Sequence, residues 1–310
     1  MHTLLADLRH AFRSLLRRPL FVLVAVLSLG LGIGVNTTIY ALLHQALLQP
    51  LPVPMPEGLV NLAAPGIKPG SSSSNSAGAR DAIFSYPMFR DLQGAPEVQQ
   101  ALTGLAAHRH IPVSLALEGQ ARDGTGMLVS GNYFDVLGLV PTLGRLLRSG
   151  DDTAPGADRV AVLGHAYWMN VLGGDPGVLG RRLRVNGEAL EIVGIAPEGF
   201  DGTTFGTRAQ VFVPITLRWL LQPTMPRDQD NRASHWVYLF GRLAPGVDSM
   251  QAGEALNRRW VAALREEVAL QRDLDEMQQA QFLARRIALS PGARGQSSVP
   301  ENERIPLLLL

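Results

Sequence analysis

The sequence predicts an α+β protein in which one N-terminal transmembrane helix is followed by a mixed α/β extracytoplasmic domain. Three observations lead there. No Asp, Glu, Lys or Arg occurs from Pro19 to Pro56, although charged residues make up 18% of the chain. Beyond that run, short strand-like apolar stretches alternate with helical patterns and turns rich in Gly, Pro and Asn. The 310 residues are enough for one large domain, or two moderate ones, with a real core.

The first element expected is a short amphipathic helix over residues 1–18. Leu4, Leu5, Leu8, Ala11, Phe12, Leu15 and Leu16 recur at helical spacing, while Arg9, Arg13 and Arg17 occupy another face. Such a helix lies on the inner membrane surface, and Pro19 then opens a new helix over residues 19–48. Leu20 to Leu43 supplies the ~20 apolar residues a membrane span needs. A cleaved signal peptide has an apolar core of only ~7–15 residues and a small-residue cleavage site, and the run fits neither. Arginines precede the span and the first charge after it is Glu57, so the N-terminus is expected in the cytoplasm and the remainder outside. At 1.5 Å per residue the helix would be ~45 Å long against a ~30 Å hydrocarbon core, leaving about two turns as a stalk.

The stretch LGLGIGVNTT does not fit a dinucleotide loop, because Gly30, Gly32 and Gly34 lack the Gly-x-Gly-x-x-Gly spacing and follow no soluble strand. Gly30 and Gly34 are four apart, the spacing that lets membrane helices approach closely, and Asn36, Thr37 and Thr38 offer hydrogen bonds between helices. Glycines are also common in membrane helices at large, with no packing role. Gly30, Gly34 and Asn36 are the helix-packing candidates.

Alternating prolines in QPLPVPMPEG predict an extended, semi-rigid connector. Leu59 to Ala64 reads as a strand, PGIKPGSSSSNSAGAR as a mobile loop and FSYPMFRDLQ as a short helix. ALTGLAAHRHIPVSLAL is strand-like, and LEGQARDGTG a turn-rich connection. GMLVSGNYFDVLGL and DRVAVLGHAYWMNVLGG each pass from strand to helix, the second capped at Gly173 or Gly174. Asn186-Gly187 signals a type I′ hairpin between Arg184-Val185 and Ala189 to Ile192. QVFVPITL and HWVYLFGRLAPGV are strands. A long helix starts at Asp248, paired with Gln251 in a capping box, with Leu256, Trp260, Leu264 and Val268 facing the core. The charged LREEVALQRDLDEMQQ tail, from Leu264 on, alternates in sign and reads as a solvated face.

Composition excludes several chemistries. A net charge of +1 gives no field for nucleic acid. The absence of cysteine excludes disulfides and thiolate metal sites. Lys68 is the only lysine among 28 basic residues and is followed by Pro69, so no Walker A loop exists and the chain cannot hydrolyse ATP by P-loop chemistry. His108 and His110 would share a strand face, a spacing compatible with a metal, but no third ligand is recognisable. His165 and His235 stand alone in apolar surroundings and read as structural, and Ser71 to Ser74 as loop. Asp151-Asp152 has no partner base, no elbow or zincin motif occurs, and the carboxylates present read more simply as surface charges. No catalytic residue, cofactor or metal site is expected.

LRHAFRSLLRRPLFVLVAVLSLGLGIGVNTTIYALLHQALLQPLPVP resembles the first membrane helix of MacB-like ABC transporter permeases. It is nearest the acidobacterial-type orphan permease subfamily, with its Gly-Ile-Gly-x-Asn-Thr motif. VSGNYFDVLGLVPTLGRLL, VAVLGHAYW, GGDPGVLGRRLRVNGEALEIVGIAPEGF and ERIPLLLL follow that pattern in order. The resemblance implies a periplasmic core domain over residues 49–304, with a porter-like part and an inserted smaller subdomain at about 137–227. Residues 305–310 would begin a truncated second transmembrane helix. It further implies an inner-membrane efflux permease acting by mechanotransmission. Its partners would be a separate ABC ATPase, a second permease copy, membrane lipid and other periplasmic efflux components, with Gly30, Gly34 and Asn36 packing the stalk helix. The rival reading is a single-span, membrane-anchored periplasmic sensor or adaptor. An anchored enzyme is weaker, because no active-site set is recognisable.

Overall fold

The computed structural model describes residues 19–117, 119–270 and 275–298, in two compact units. The expected helix over 1–18 and the expected second span at 305–310 lie outside the described residues. One unit carries helix α1, Pro19–Leu48. Its Pro19–Ile39 segment is long and apolar enough to cross a membrane, with a mean hydropathy of 2.2 and no burial within the chain.

The second unit, Pro50–Pro300, is built on one mixed sheet. In chain order its elements begin with β1 (Leu59–Ala63), β2 (Ser71–Ser72), β3 (Ile83–Ser85), α2 (Tyr86–Gln93) and α3 (Pro96–Ala101). Then come β4 (Leu102–Leu117), β5 (Gln120–Val129), α4 (Tyr133–Leu137), β6 (Leu143–Gly144), β7 (Val160–Leu163) and α5 (His165–Leu172). They are followed by β8 (Arg182–Val185), β9 (Glu188–Ile195), β10 (Val211–Pro214), α6 (Arg218–Leu221) and β11 (Ser234–Leu243). The last are α7 (Ser249–Leu270), α8 (Glu276–Leu283) and β12 (Ala288–Pro291). The sheet runs β12-β1-β11-β4-β5-β10-β7-β9-β6, with β2 and β3 also on β11 and β8 bridging β4 and β9. Pairings are antiparallel except β5/β10, β7/β9 and β2/β11.

Strand alternation divides the core between the two faces. Leu105 and Ala107 of β4, with Val237 and Leu239 of β11, face one cluster that includes Trp236, Trp260, Phe84 and Phe89. Ala106 and Phe240 face the other, where Tyr133, Phe134, Phe200 and Phe212 pack with edge or tilted ring contacts. Leu256, Trp260 and Leu264 of α7 are fully buried, and Val268 packs partly buried beside them, as their spacing predicts. The cap is as expected: Gln251 N–H donates to Asp248 Oδ1 at 2.8 Å, and Asp248 N–H to Gln251 Oε1 at 3.2 Å.

The hairpin forms where expected, with Asn186 at φ 49° and Gly187 at φ 89°. Its tip is also anchored, because Asn186 Oδ1 accepts from Ser114 N–H and its amide donates to Leu221 O. Two expectations are corrected. Residues Gln120–Gly126 are strand, paired along β4 down to Leu117↔Gln120, so the connection is a tight reversal at Gly119. Cross-strand pairing with β4 outweighs their low intrinsic strand preference. The Ser/Gly stretch is tied down: Ser71 and Ser73 donate backbone N–H groups to Ala233 and His235, and Arg109 grips Ser73 through its carbonyl and hydroxyl.

Candidate functional site

The clearest built junction is where the chain enters and leaves the outer domain. Leu51 N–H donates to Ala293 O at 2.7 Å, so the proline-rich connector and the segment after β12 lie side by side. Gly292 N–H continues this contact to Leu59 O at 2.7 Å. The connector, predicted only to be extended and semi-rigid, is therefore seated on the domain, and Val53 is buried. Arg242 of β11 holds it. Its guanidinium donates to Pro54 O at 3.0 Å and Met55 O at 2.8 Å. On its other side it donates to Val136 O at 2.7 Å and Leu137 O at 3.2 Å, the orphan carbonyls at the C-terminus of α4. One planar cation thus ties the connector, β11 and α4 together. Sequence reasoning missed it. The available signal was a lone arginine within an otherwise apolar strand, VYLFGRL.

The helix-packing candidates lie on α1, where every residue from Leu23 to Ile39 is exposed. A Cβ added at Gly30, Gly32 or Gly34 would meet nothing within 4 Å. Thr37 and Thr38 donate their hydroxyls back to Ile33 O and Gly34 O, both at 2.7 Å, so those donors are used inside the helix. At roughly 100° per residue, Gly30, Gly34, Thr37 and Thr38 share one side, whereas Asn36 lies roughly 160° round from Gly34, beside Gly32. The three candidates are not on one face.

The outer domain buries more charge than its sequence suggested. Asp151 and Asp152 are each 5% exposed, where surface charges were expected. Asp151 takes a two-pronged contact from Arg145 at 2.5 and 2.9 Å. Asp152 accepts from the N–H groups of Gly131 and Thr216, and burial pushes its carboxyl up to about 6. Asp228 pairs with Arg218 and accepts from Ser234, while Arg218 stacks over Trp236 at 3.9 Å. Glu267 is 2% exposed and accepts from Arg232 at 3.1 Å, and Arg232 also pairs with Asp91 at 2.7 Å. His235, expected in apolar surroundings, lies near Lys68 and Arg285, and burial with their charge lowers it to about 4. His108 and His110 do share β4, but His108 sits in the aromatic core with Nε2 2.5 Å from Gln296 Oε1 and is pushed down to about 4 by burial. Its partner Gln296 also donates to Leu239 O. Among the described residues no group of three potential ligands assembles.

Burial also pushes Glu267 up to about 7, against an ordinary 4.5. A carboxyl raised on folding favours the folded state while protonated, and that advantage is lost as pH rises from 4.5 through 7. Replacing Glu267 with Gln removes this dependence. The stability of E267Q relative to the parent is expected to climb between pH 4.5 and 7 and then level off, read by urea unfolding at a series of pH values.

Residues 22–259 match the family model for the MacB-like periplasmic core domain. No curated protein matches the chain. Among solved structures, the periplasmic region of MacB from Actinobacillus actinomycetemcomitans aligns at 13% identity and TM-score 0.51, over 76% of this chain and 89% of its own. The extracellular domain of the noncanonic ABC-type transporter YknZ from Gram-positive bacteria aligns at 16% identity and TM-score 0.44, over 64% and 91%. The former supports the likeness of fold. The matched residues begin in the apolar helix and run through β1 to β11 into α7, and on that span the chain belongs to the MacB-like periplasmic core domain family of ABC-type transporter permeases.

Proposed function

We propose that the chain is the N-terminal part of an exporter permease subunit that couples ATP hydrolysis by a separate ATPase to movement of its periplasmic domain during efflux. The observation that carries this reading is the paired entry and exit of the outer domain. Leu51 and Ala293 are hydrogen bonded, and Arg242 fastens the connector to β11 and to α4. A domain whose two ends meet at one fixed point can be driven by helices attached there, and a loosely tethered one cannot. In this reading the N-terminus is cytoplasmic, the outer domain is periplasmic, and two permease copies assemble. Gly30 and Gly34 pack α1 against one neighbouring helix, while Asn36 addresses another on the opposite side. Residues 137–227 form the inserted smaller part. In its favour, β6, β7, β9 and β10 lie on the flank of the sheet beyond β5, with β8 bridging β9 back to β4, and β1, β11 and β12 lie on the other flank.

The absence of cysteine makes the orientation directly testable. Gly150 has open space around it, so G150C is expected to react with a membrane-impermeant maleimide on intact inner-membrane spheroplasts. S14C is expected to react only after lysis. Labelling of S14C on intact spheroplasts would overturn the orientation.

A further inference from the structure

We propose that the buried guanidinium of Arg285 anchors a site for one small inorganic monoanion, of halide or nitrate size, beneath the Ser/Gly loop of the outer domain. Arg285 follows α8 and is 3% exposed. Two rings lie against it, with the guanidinium carbon 4.3 Å from the Phe282 centroid and 5.2 Å from that of Trp260. The loop closes over its stem, so that a Cβ on Gly66 would lie 3.0 Å from Arg285 Cγ. None of Nε, Nη1 and Nη2 has a hydrogen-bond partner, and neither does the indole N–H of Trp260. Contact with ring faces does not use a guanidinium's in-plane donors, and a planar fork of free donors is the arrangement that grips anions. Aromatic contact alone leaves those in-plane donors unmatched, and an unpaired buried charge is strongly destabilising.

The titratable groups around the fork come from three elements. Lys68, in the loop before β2, donates to Asp81 O and Ile83 O, sits 5.3 Å over Phe84 and feels the charge of Arg285. His235 of β11 faces both cations and is neutral at pH 7. Glu267 of α7 offers one oxygen to Arg232, and its other oxygen has no partner. Among the described residues no carboxylate forms an ion pair with Arg285. Arg80 and Asp81 also act on Lys68, and Asp91 on Glu267, by their charge. Arg285 is lowered only to about 10 and stays charged, whereas Lys68 and Glu267 both titrate at about 7. The site thus offers one buried guanidinium with three unmatched donor nitrogens, which an anion of single charge matches.

The test uses the full chain in detergent micelles, with gluconate replaced stepwise by chloride or bromide at constant ionic strength. The thermal midpoint is expected to rise saturably, by roughly 3 °C at tenfold excess over the dissociation constant. Bromide should quench part of the tryptophan emission saturably, chloride should reverse that quench, and W260F should abolish it. R285M should lose both the thermal shift and the saturable quench. Affinity should tighten several-fold from pH 8 to pH 6, as Lys68 gains charge and Glu267 loses it. A midpoint that moves linearly with every salt, or an R285M protein that keeps the shift, would overturn the site. Should R285M not fold, bromide–chloride competition on the parent decides: no saturable component means no site.

Discussion

Replacing Asp228 with Ala is expected to destabilise the outer domain by about 3–5 kcal/mol, the cost of leaving a buried charge without its partner. Asp228 and Arg218 are 6% and 4% exposed, and the pair is closed by Ser234 on one side and by the Trp236 ring under the guanidinium on the other. With Asp228 gone, Arg218 stays charged in a site that water does not reach. For a domain of this size that loss corresponds to roughly 10 °C in the thermal midpoint. The double variant R218M/D228A is expected to recover much of it, because both charges are then removed together. Equal losses in single and double variants would show that Asp228 acts through packing alone.

The second large effect belongs to Arg242. R242A removes four hydrogen bonds to carbonyls of the connector and of α4, and leaves the sheet register of β11 intact. Charge-assisted bonds of this kind contribute ~1.5–3 kcal/mol each at most, and less where partly exposed. Global stability should therefore fall by only about 1–2 kcal/mol. Local opening should change far more. Amide exchange at Leu51, Val53 and Leu139 is expected to speed up by about tenfold or more, with the amides of β4 and β5 unchanged. A uniform rise across the domain would mean that Arg242 supports the core and not the connector in particular.

The legible parts of this fold were those fixed by local stereochemistry. Asn186-Gly187 needs positive φ at both positions, and Asp248 with Gln251 satisfies orphan N–H groups of α7 within one turn. Gly173 stops α5 in the left-handed region, and the uncharged run after Pro19 forms one continuous helix. What escaped depends on partners distant in sequence. Nothing in the composition of Ser71 to Ser74 says that Arg109 will reach across to Ser73. Gln120 to Thr125 is polar and glycine-containing, and is strand only because β4 extends far enough to pair with it. Asp151, Asp152, Asp228 and Glu267 read as surface charges because their burial is set by elements that close over them. The junction at Arg242 joins segments from the start, middle and end of the domain, so only its isolated charge was visible in advance. In α1 the glycine spacing was legible, but grouping Asn36 with Gly30 and Gly34 overlooked the helical phase that separates them.

The central claim is that an ATPase drives this domain from outside the chain. Its most direct test is to tag the protein at native expression level, purify it in mild detergent and identify what accompanies it. The account predicts an ABC-type ATPase in stoichiometric amount, with ATP turnover that changes when Gly34→Leu blocks close helix approach. Recovery of the chain alone, with no ATPase before or after cross-linking in intact membranes, would contradict it and favour a single-span sensor.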